Sequence, residues 1–212
     1  MPPRLDYWAR IEWFVKGLAH REGTQAVYVA TGPLYLPQPT GDGRWRMQHD
    51  MLGKAPALVS VPTHFYKCVV VEGEGGRGAP TSIGAFVIPN APIPPGAPLE
   101  AFAVPLKELE AAAGISFFDK AGRPRAGDEE RVMRRARAAR EQLTAGGGRQ
   151  LALPPPNESL PERAYREDDA AKGSRALRHL CERPDACVLP RERFWENSGG
   201  KKKEQRTLPP RQ

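Results

Sequence analysis

His64-Phe65-Tyr66-Lys67-Cys68-Val69-Val70-Val71 decides the fold class. Aromatic and β-branched residues dominate this run, as suits a strand. A glycine-rich stretch from Gly73 to Pro80 follows, and Ser82 to Ile88 returns as a second apolar run. Two strands around a turn-rich loop read as an antiparallel pair. Upstream, Ala26 to Thr31 is a third β-rich run, which Gly32-Pro33 is expected to stop. Ala57 to Val61 is a short apolar run, and Trp45 to His49 alternates weakly.

Helical signals flank these runs. Leu5, Trp8, Ile11, Val15 and Leu18 recur at spacings of three and four, which predicts an amphipathic helix over Leu5–Leu18. Pro105 to Ala113 reads as a short helix with proline at its start and Gly114 as its stop. Ile115, Phe117 and Phe118 are expected to pack back onto the core. The proline-rich stretch Pro89 to Pro98 cannot be regular structure. The unit is therefore read as α+β, with four or five short antiparallel strands and packed helices over residues 4–118.

Beyond Phe118 the character changes. Residues 1–118 carry ten Lys or Arg against ten Asp or Glu, and residues 119–212 carry twenty-two against fifteen, so the whole excess of +7 lies in the second part. This is unlike a uniformly basic nucleic-acid-binding domain and fits a neutral unit with a basic extension over 119–212. Within it, 128–143 is expected to be a helix, acidic first and arginine-rich later, an order that suits the helix dipole. Residues 145–172 have a composition expected to stay disordered. Residues 175–195, with Leu177, Leu180, Cys181, Cys187, Phe194 and Trp195, read as a docking segment. Lys201-Lys202-Lys203 opens a polar tail.

Three cysteines are too few for a disulfide scaffold. No apolar run reaches the roughly 18 residues of a transmembrane helix. The first residues show neither an apolar signal core nor an Arg/Ser-rich presequence. Either the protein is untargeted, or its natural N-terminus lies upstream.

Five ordered stretches carry a resemblance. They are Asp6-Tyr7-Trp8-Ala9-Arg10-Ile11-Glu12, Val29-Ala30-Thr31-Gly32-Pro33-Leu34-Tyr35-Leu36-Pro37, Val61-Pro62-Thr63-His64-Phe65-Tyr66-Lys67, Phe86-Val87-Ile88-Pro89-Asn90-Ala91 and Phe102-Ala103-Val104-Pro105-Leu106. Together they resemble the mitochondrial endonuclease G family of ββα-metal nucleases, particularly its fungal branch, over residues 5–118. The resemblance implies the C-terminal portion of a Mg²⁺-dependent phosphodiesterase acting on DNA and RNA, mitochondrial and able to form a homodimer. It also implies a histidine general base in an Asp-Arg-Gly-His motif, and a metal-binding asparagine at the start of the following helix.

Asp-Arg-Gly-His does not occur in the sequence, and the asparagine position falls on Arg4. A guanidinium donates hydrogen bonds and carries positive charge, so it cannot ligate Mg²⁺. The family match is accordingly expected to end at Leu5 or Asp6, and the chain as written is expected to be inactive. The alternative is an inactive remnant that binds nucleic acid through its basic tail or pairs with an intact nuclease subunit. A family sheet without its early strands would expose edges and apolar surface, which predicts a marginal or aggregation-prone product.

The resemblance gives Glu12 a part in the outer shell of the metal. The spacing alone gives it an exposed pair with Lys16, four residues on. Lys16, Arg134, Arg135, Lys201, Lys202 and Lys203 are candidate phosphate contacts, against the plainer reading of a solvated charged face. Trp8 is expected in the core, His64 as a structural hydrogen-bonded histidine, and Cys68 as buried and inert. The turn at Thr31-Gly32-Pro33 is expected to build the fold around the metal helix. His20, His49 and His179 show no ligand spacing. Cys181 and Cys187 resemble the fungal C-terminal tail; whether they join as a disulfide in an oxidising compartment stays open on spacing alone.

Overall fold

The computed structural model describes residues 3–73, 80–145 and 175–190. Helix α1 spans Pro3–Ala19 and strand β1 spans Thr24–Leu34. Four short strands follow, β2 at Gln38–Pro39, β3 at Trp45–Arg46, β4 at Met51–Lys54 and β5 at Ala57–Ser60. The long strands β6 (His64–Gly73) and β7 (Pro80–Pro89) form the centre. A 3₁₀ turn at Leu99–Phe102 leads into β8, Ala103–Val104, and helix α2, Leu106–Ala113. Strand β9 at Arg123–Pro124, helix α3 at Ala126–Ala145 and strand β10 at Ala176–His179 complete the described chain.

The main sheet has six strands in the order β1-β6-β7-β10-β9, with β8 also on β7. Its centre is antiparallel, with Val29 opposite Val69 and Val69 opposite Gly84. β10 departs from the expected all-antiparallel pairing. It runs parallel to β7 through Arg178 and His179, and parallel to β9 through Ala176 and Leu177. The fold is thus α+β with a mostly antiparallel sheet.

Both faces of the sheet are covered, so β6 reads as a near-continuous apolar run instead of an alternation. On one face, Tyr7, Ile11, Phe14 and Leu18 of α1 pack with Val69, Val71, Phe86, Ile88 and Phe102, and with Val132 and Ala136 of α3. On the other, Tyr66, Cys68, Val70, Ala85 and Val87 meet Leu109 of α2, Phe117 and Leu177. The buried stripe of α1 is turned from the predicted one. Tyr7 and Phe14 fill the core, while Trp8 and Val15 pack only partly against it. Of the three residues expected to return after Gly114, Phe117 is buried, Phe118 is partly buried, and Ile115 is exposed. Gly114 does stop α2, in a left-handed conformation with its N–H on the Glu110 carbonyl.

β1 does not stop at Gly32-Pro33 but continues to Leu34, with Pro33 opposite Phe65. β1 lies at the end of the sheet, and proline is tolerated on an edge strand because no outer ladder bond is lost there. Gly32 has its own reason. A Cβ at this position would lie 2.7 Å from the Tyr66 hydroxyl oxygen and 2.8 Å from two of its ring carbons. Gly32→Ala is expected to displace Tyr66 and to destabilise the fold by about 1–3 kcal/mol, measured as a shift in the urea midpoint. An unchanged midpoint would sink the close-contact account.

Packing continues past residue 118. α3 lies on the 3₁₀ turn, β8 and β10, so these elements share the core of the matched unit. Glu129 of α3 accepts the Leu106 N–H at 3.2 Å and so caps α2, whose own N-cap, Pro105, has no side-chain donor or acceptor. The expected docking segment is described to Pro190. In it Leu177, His179, Leu180, Cys181, Ala186, Cys187 and Leu189 are buried, and Cys181 and Cys187 form a disulfide. Phe194, Trp195, the stretch 146–172 and Lys201 to Lys203 lie outside the described residues.

Candidate functional site

The matched motifs converge where α1 crosses β1 and β6. Residues 8, 12 and 16 share one face of α1, adjoining its buried stripe. On β6 the side chains of Phe65, Lys67, Val69 and Val71 alternate onto the same side of the sheet. The Trp8 ring meets the Phe65 ring at 5.6 Å between centroids. One turn on, Glu12 Oε1 accepts a hydrogen bond from Lys67 Nζ at 2.6 Å. The same ammonium lies 4.7 Å from the centre of the Trp8 ring, within cation–π range.

The partner of Glu12 is therefore Lys67 and not Lys16. Lys16 is exposed and lies over the Trp13 ring at 4.9 Å, while its carbonyl meets His20 Nδ1 at 2.8 Å. The pair is asymmetric. The Lys67 side chain is 2% exposed and that of Glu12 is 51% exposed. One end is locked in the sheet, and the other presents a carboxylate to solvent. Trp8 flanks the ammonium and is partly buried against the core. Lys67 closes one of the quoted motifs, yet the sequence reading gives it no role, although a signal is there: a charge inside a strand-like apolar run is almost never buried unless it is paired.

The helix that carries Glu12 is held from outside the sheet. Arg10 donates to the Pro95 carbonyl at 2.7 Å and to the Pro190 carbonyl at 2.9 Å, and Tyr7 donates to the Ala97 carbonyl at 3.2 Å. Burial raises the Tyr7 pKa well above that of an ordinary phenol, so the donor stays protonated. His64 is hydrogen-bonded as expected, but on one side of its ring only, since its buried Nε2 has no hydrogen-bond partner among the described residues. Its Nδ1 lies 3.0 Å from Thr63 Oγ1, and burial lowers its pKa to about 4, which keeps the ring neutral. Thr63 in turn takes the Leu36 N–H, and Thr31 donates to the Tyr66 carbonyl, so the two motifs brace each other. Cys68 is buried, and burial pushes its thiol up to about 12, which removes it as a nucleophile.

α3 shares the apolar layer with α1, but Arg134 and Arg135 are engaged elsewhere. Arg135 binds Glu100 at 2.7 Å through Nε and also donates to the carbonyls of Cys181 and Glu182, which ties α3 to the C-terminal segment. Arg134 makes an exposed pair with Glu130 at 3.2 Å. α1 packs on β1 and β6, whereas α3 packs on the 3₁₀ turn, β8 and β10. The Arg4 side chain lies outside what the structure describes.

A divalent cation needs several oxygen ligands or retained waters. Among the described residues, no three His, Cys, Asp or Glu side chains converge as a ligand set. Glu12 already gives one oxygen to an ammonium. The described residues thus do not fit a complete inner shell; they fit a carboxylate that accepts from water.

Comparison with known proteins agrees with the motifs. The family described as DNA/RNA non-specific endonuclease matches residues 4–123, so the match reaches Arg4 and does not end at Leu5 or Asp6. The chain belongs to the DNA/RNA non-specific endonuclease family. It is 41% identical over 113 residues to Nuclease 1, mitochondrial, of Schizosaccharomyces pombe, covering 53% of this chain and 34% of that protein. It is 38% identical over 110 residues to human Endonuclease G, mitochondrial, covering 52% of this chain and 35% of that protein. The chain thus spans about a third of the length of the curated relatives it matches. A solved structure described as the EndoG/EndoGI complex aligns with a TM-score of 0.48 and 36% sequence identity, over 53% of this chain and 43% of that chain.

Proposed function

We propose that the chain is the downstream portion of a Mg²⁺-dependent, mitochondrial endonuclease that cleaves DNA and RNA without sequence preference. The observation that carries this reading is the Glu12–Lys67 pair, set between two of the matched motifs and open to solvent at its carboxylate. Glu12 accepts and orients water beside the scissile phosphate. Trp8 shields the Lys67 ammonium from solvent, and β6 supplies the rigid base. Contacts to phosphate suffice for such a substrate, because backbone contacts carry no sequence information. The described residues fit no inner metal shell.

The sequence holds no Asp-Arg-Gly-His. General-base catalysis alone contributes about 10²–10⁴ in rate, so the 212 residues are expected to leave plasmid DNA intact with Mg²⁺ as with EDTA. The positive test joins residues 5–212 to the upstream part of a fungal relative that carries the histidine motif. The joined protein is expected to nick plasmid and degrade RNA with Mg²⁺, and Glu12→Gln is expected to lower kcat by at least about tenfold. A folded joined protein that cuts neither substrate would overturn the proposal.

A second reading rests on the basic excess of residues 119–212. Here the chain binds nucleic acid through its tail, or pairs with an intact nuclease subunit, without cutting. Such binding would weaken steeply with salt. Replacing Lys201, Lys202 and Lys203 by glutamine would then reduce the salt slope by about one unit for each phosphate no longer neutralised. A slope unchanged by those substitutions would exclude the tail.

A further inference from the structure

Lys67 is in the wrong place for a residue that serves stability alone. It sits in the middle of β6, opposite Thr31 and Phe86, with Tyr66 and Cys68 as chain neighbours. A buried ion pair is often no more stable than an apolar replacement of similar volume. An apolar side chain at 67 would extend the surface of Phe65, Val69 and Val71 under α1. Instead, a buried ammonium reaches 55 residues back along the chain to a half-exposed carboxylate.

We infer that Lys67 is a positioning residue that keeps Glu12 an acceptor for water and prevents it from ligating a divalent cation directly. The inference rests on the reading of Glu12 as part of a nuclease face. Its physical basis is local charge. Glu12 Oε1 is engaged by the ammonium, and the exposure of the side chain leaves Oε2 to solvent. A dication approaching Oε2 meets a carboxylate whose charge is already matched, together with the repulsion of Lys67 itself. Mg²⁺ also dehydrates reluctantly and keeps several waters, so an outer carboxylate that takes a hydrogen bond from such a water suits it better than a new direct ligand. The Trp8 ring keeps the ammonium in place and dry.

The test uses the full 212-residue chain, with Mn²⁺ as the probe and nuclear magnetic resonance as the readout. In ¹⁵N-labelled protein without metal, the Lys67 ammonium is expected to give a resolved, slowly exchanging signal that Glu12→Gln abolishes. On titration with Mn²⁺, the Trp8 indole N–H of the wild type is expected to keep its width at concentrations that broaden it in Lys67→Met. The broadening midpoint should fall by about tenfold or more in that variant. Lys67→Arg should behave as wild type, and adding Glu12→Gln to Lys67→Met should remove the broadening. A general structural role would not distinguish arginine from methionine in this way.

Wild-type broadening with the same Mn²⁺ midpoint as Lys67→Met would show that Lys67 does not govern the approach of a cation to Glu12, and would overturn the inference. So would an ammonium signal indifferent to Glu12→Gln. Should Lys67→Met not fold, the ammonium signal decides alone: its loss in Glu12→Gln supports the hold of Lys67 on Glu12, and its persistence overturns it. Failure of the joined nuclease to cut, with the ammonium signal and Mn²⁺ response as expected, would overturn the nuclease reading and leave the hold of Lys67 on Glu12 standing.

Discussion

Stability to urea is expected to fall as the pH drops from about 6.5 towards 4, by about 3 kcal/mol for each of two buried histidines. Burial lowers both His64 and His179 from 6.5 to about 4. For His179, the nearby Arg135 adds to the lowering and Asp128 opposes it. The sign follows from proton uptake. Between these values the unfolded chain binds protons that the folded chain refuses, so stability is full above about 6.5, declines on acidification, and levels off below about 4. The structure shows why His179 must stay neutral: its Nδ1 accepts the Cys181 N–H at 3.1 Å, and a proton on that nitrogen would remove the bond. Urea melts between pH 7 and pH 4 on wild type, His179→Gln and the double variant with His64→Gln would check this. A slope unchanged in the double variant would place the acid sensitivity on the carboxylates instead.

Glu110→Ala is expected to cost about 3 kcal/mol, the low end for breaking a buried ion pair, because Arg123 keeps some access to water. The Glu110 side chain is 2% exposed, and that of Arg123 is 25% exposed. The carboxylate takes the Phe117 N–H at 2.8 Å and Arg123 Nη1 at 2.8 Å. It therefore fixes the turn after α2, seats Phe117 in the core beneath Tyr66, and aims the chain into β9. Glu110→Gln separates these functions, since its amide oxygen can still accept the Phe117 N–H while the charge is lost. It should recover part of the loss in thermal and urea melts. Equal losses for both variants would mean that the charge of the pair contributes all of the effect.

The parts of the fold legible in the sequence are those whose pattern is local. β6 and β7 announce themselves by apolar residues that both faces of a covered sheet require. α2 is marked by its proline and glycine ends, and α3 by its charge order. What escapes depends on position in the sheet. Gly32-Pro33 reads as a stop in any strand except one at an edge, and the edge is known only from the topology. Ala176-Leu177-Arg178-His179 has too little pattern to predict a strand, because the groove between β7 and β9 supplies the reason for it.

The candidate site divides the same way. Glu12 is visible through its motif, but the partner its spacing suggests sits one turn along the helix, and the actual one lies across the fold on β6. Arg135 reads as a contact for phosphate because its neighbours are basic. Its actual partners, Glu100 and the Cys181 carbonyl, lie 35 and 46 residues away in sequence. Charge patterning gives sign and density, and it carries no information on which guanidinium is already engaged.

The place of β10 also bears on how the chain is made. It fills the space between β7 and β9, both of which leave the ribosome well before it, and its pairing with β7 joins Arg178 to Ser82 across most of the intervening chain. Closing a loop of that length comes late, because its entropy must be met before the pairing is gained. During synthesis the flank of β7 beyond β6 therefore stays open in part until His179 emerges. The nascent protein has a gap in its sheet that only its own later residues fit, and its exposure to wrong partners lasts as long as translation of the intervening stretch.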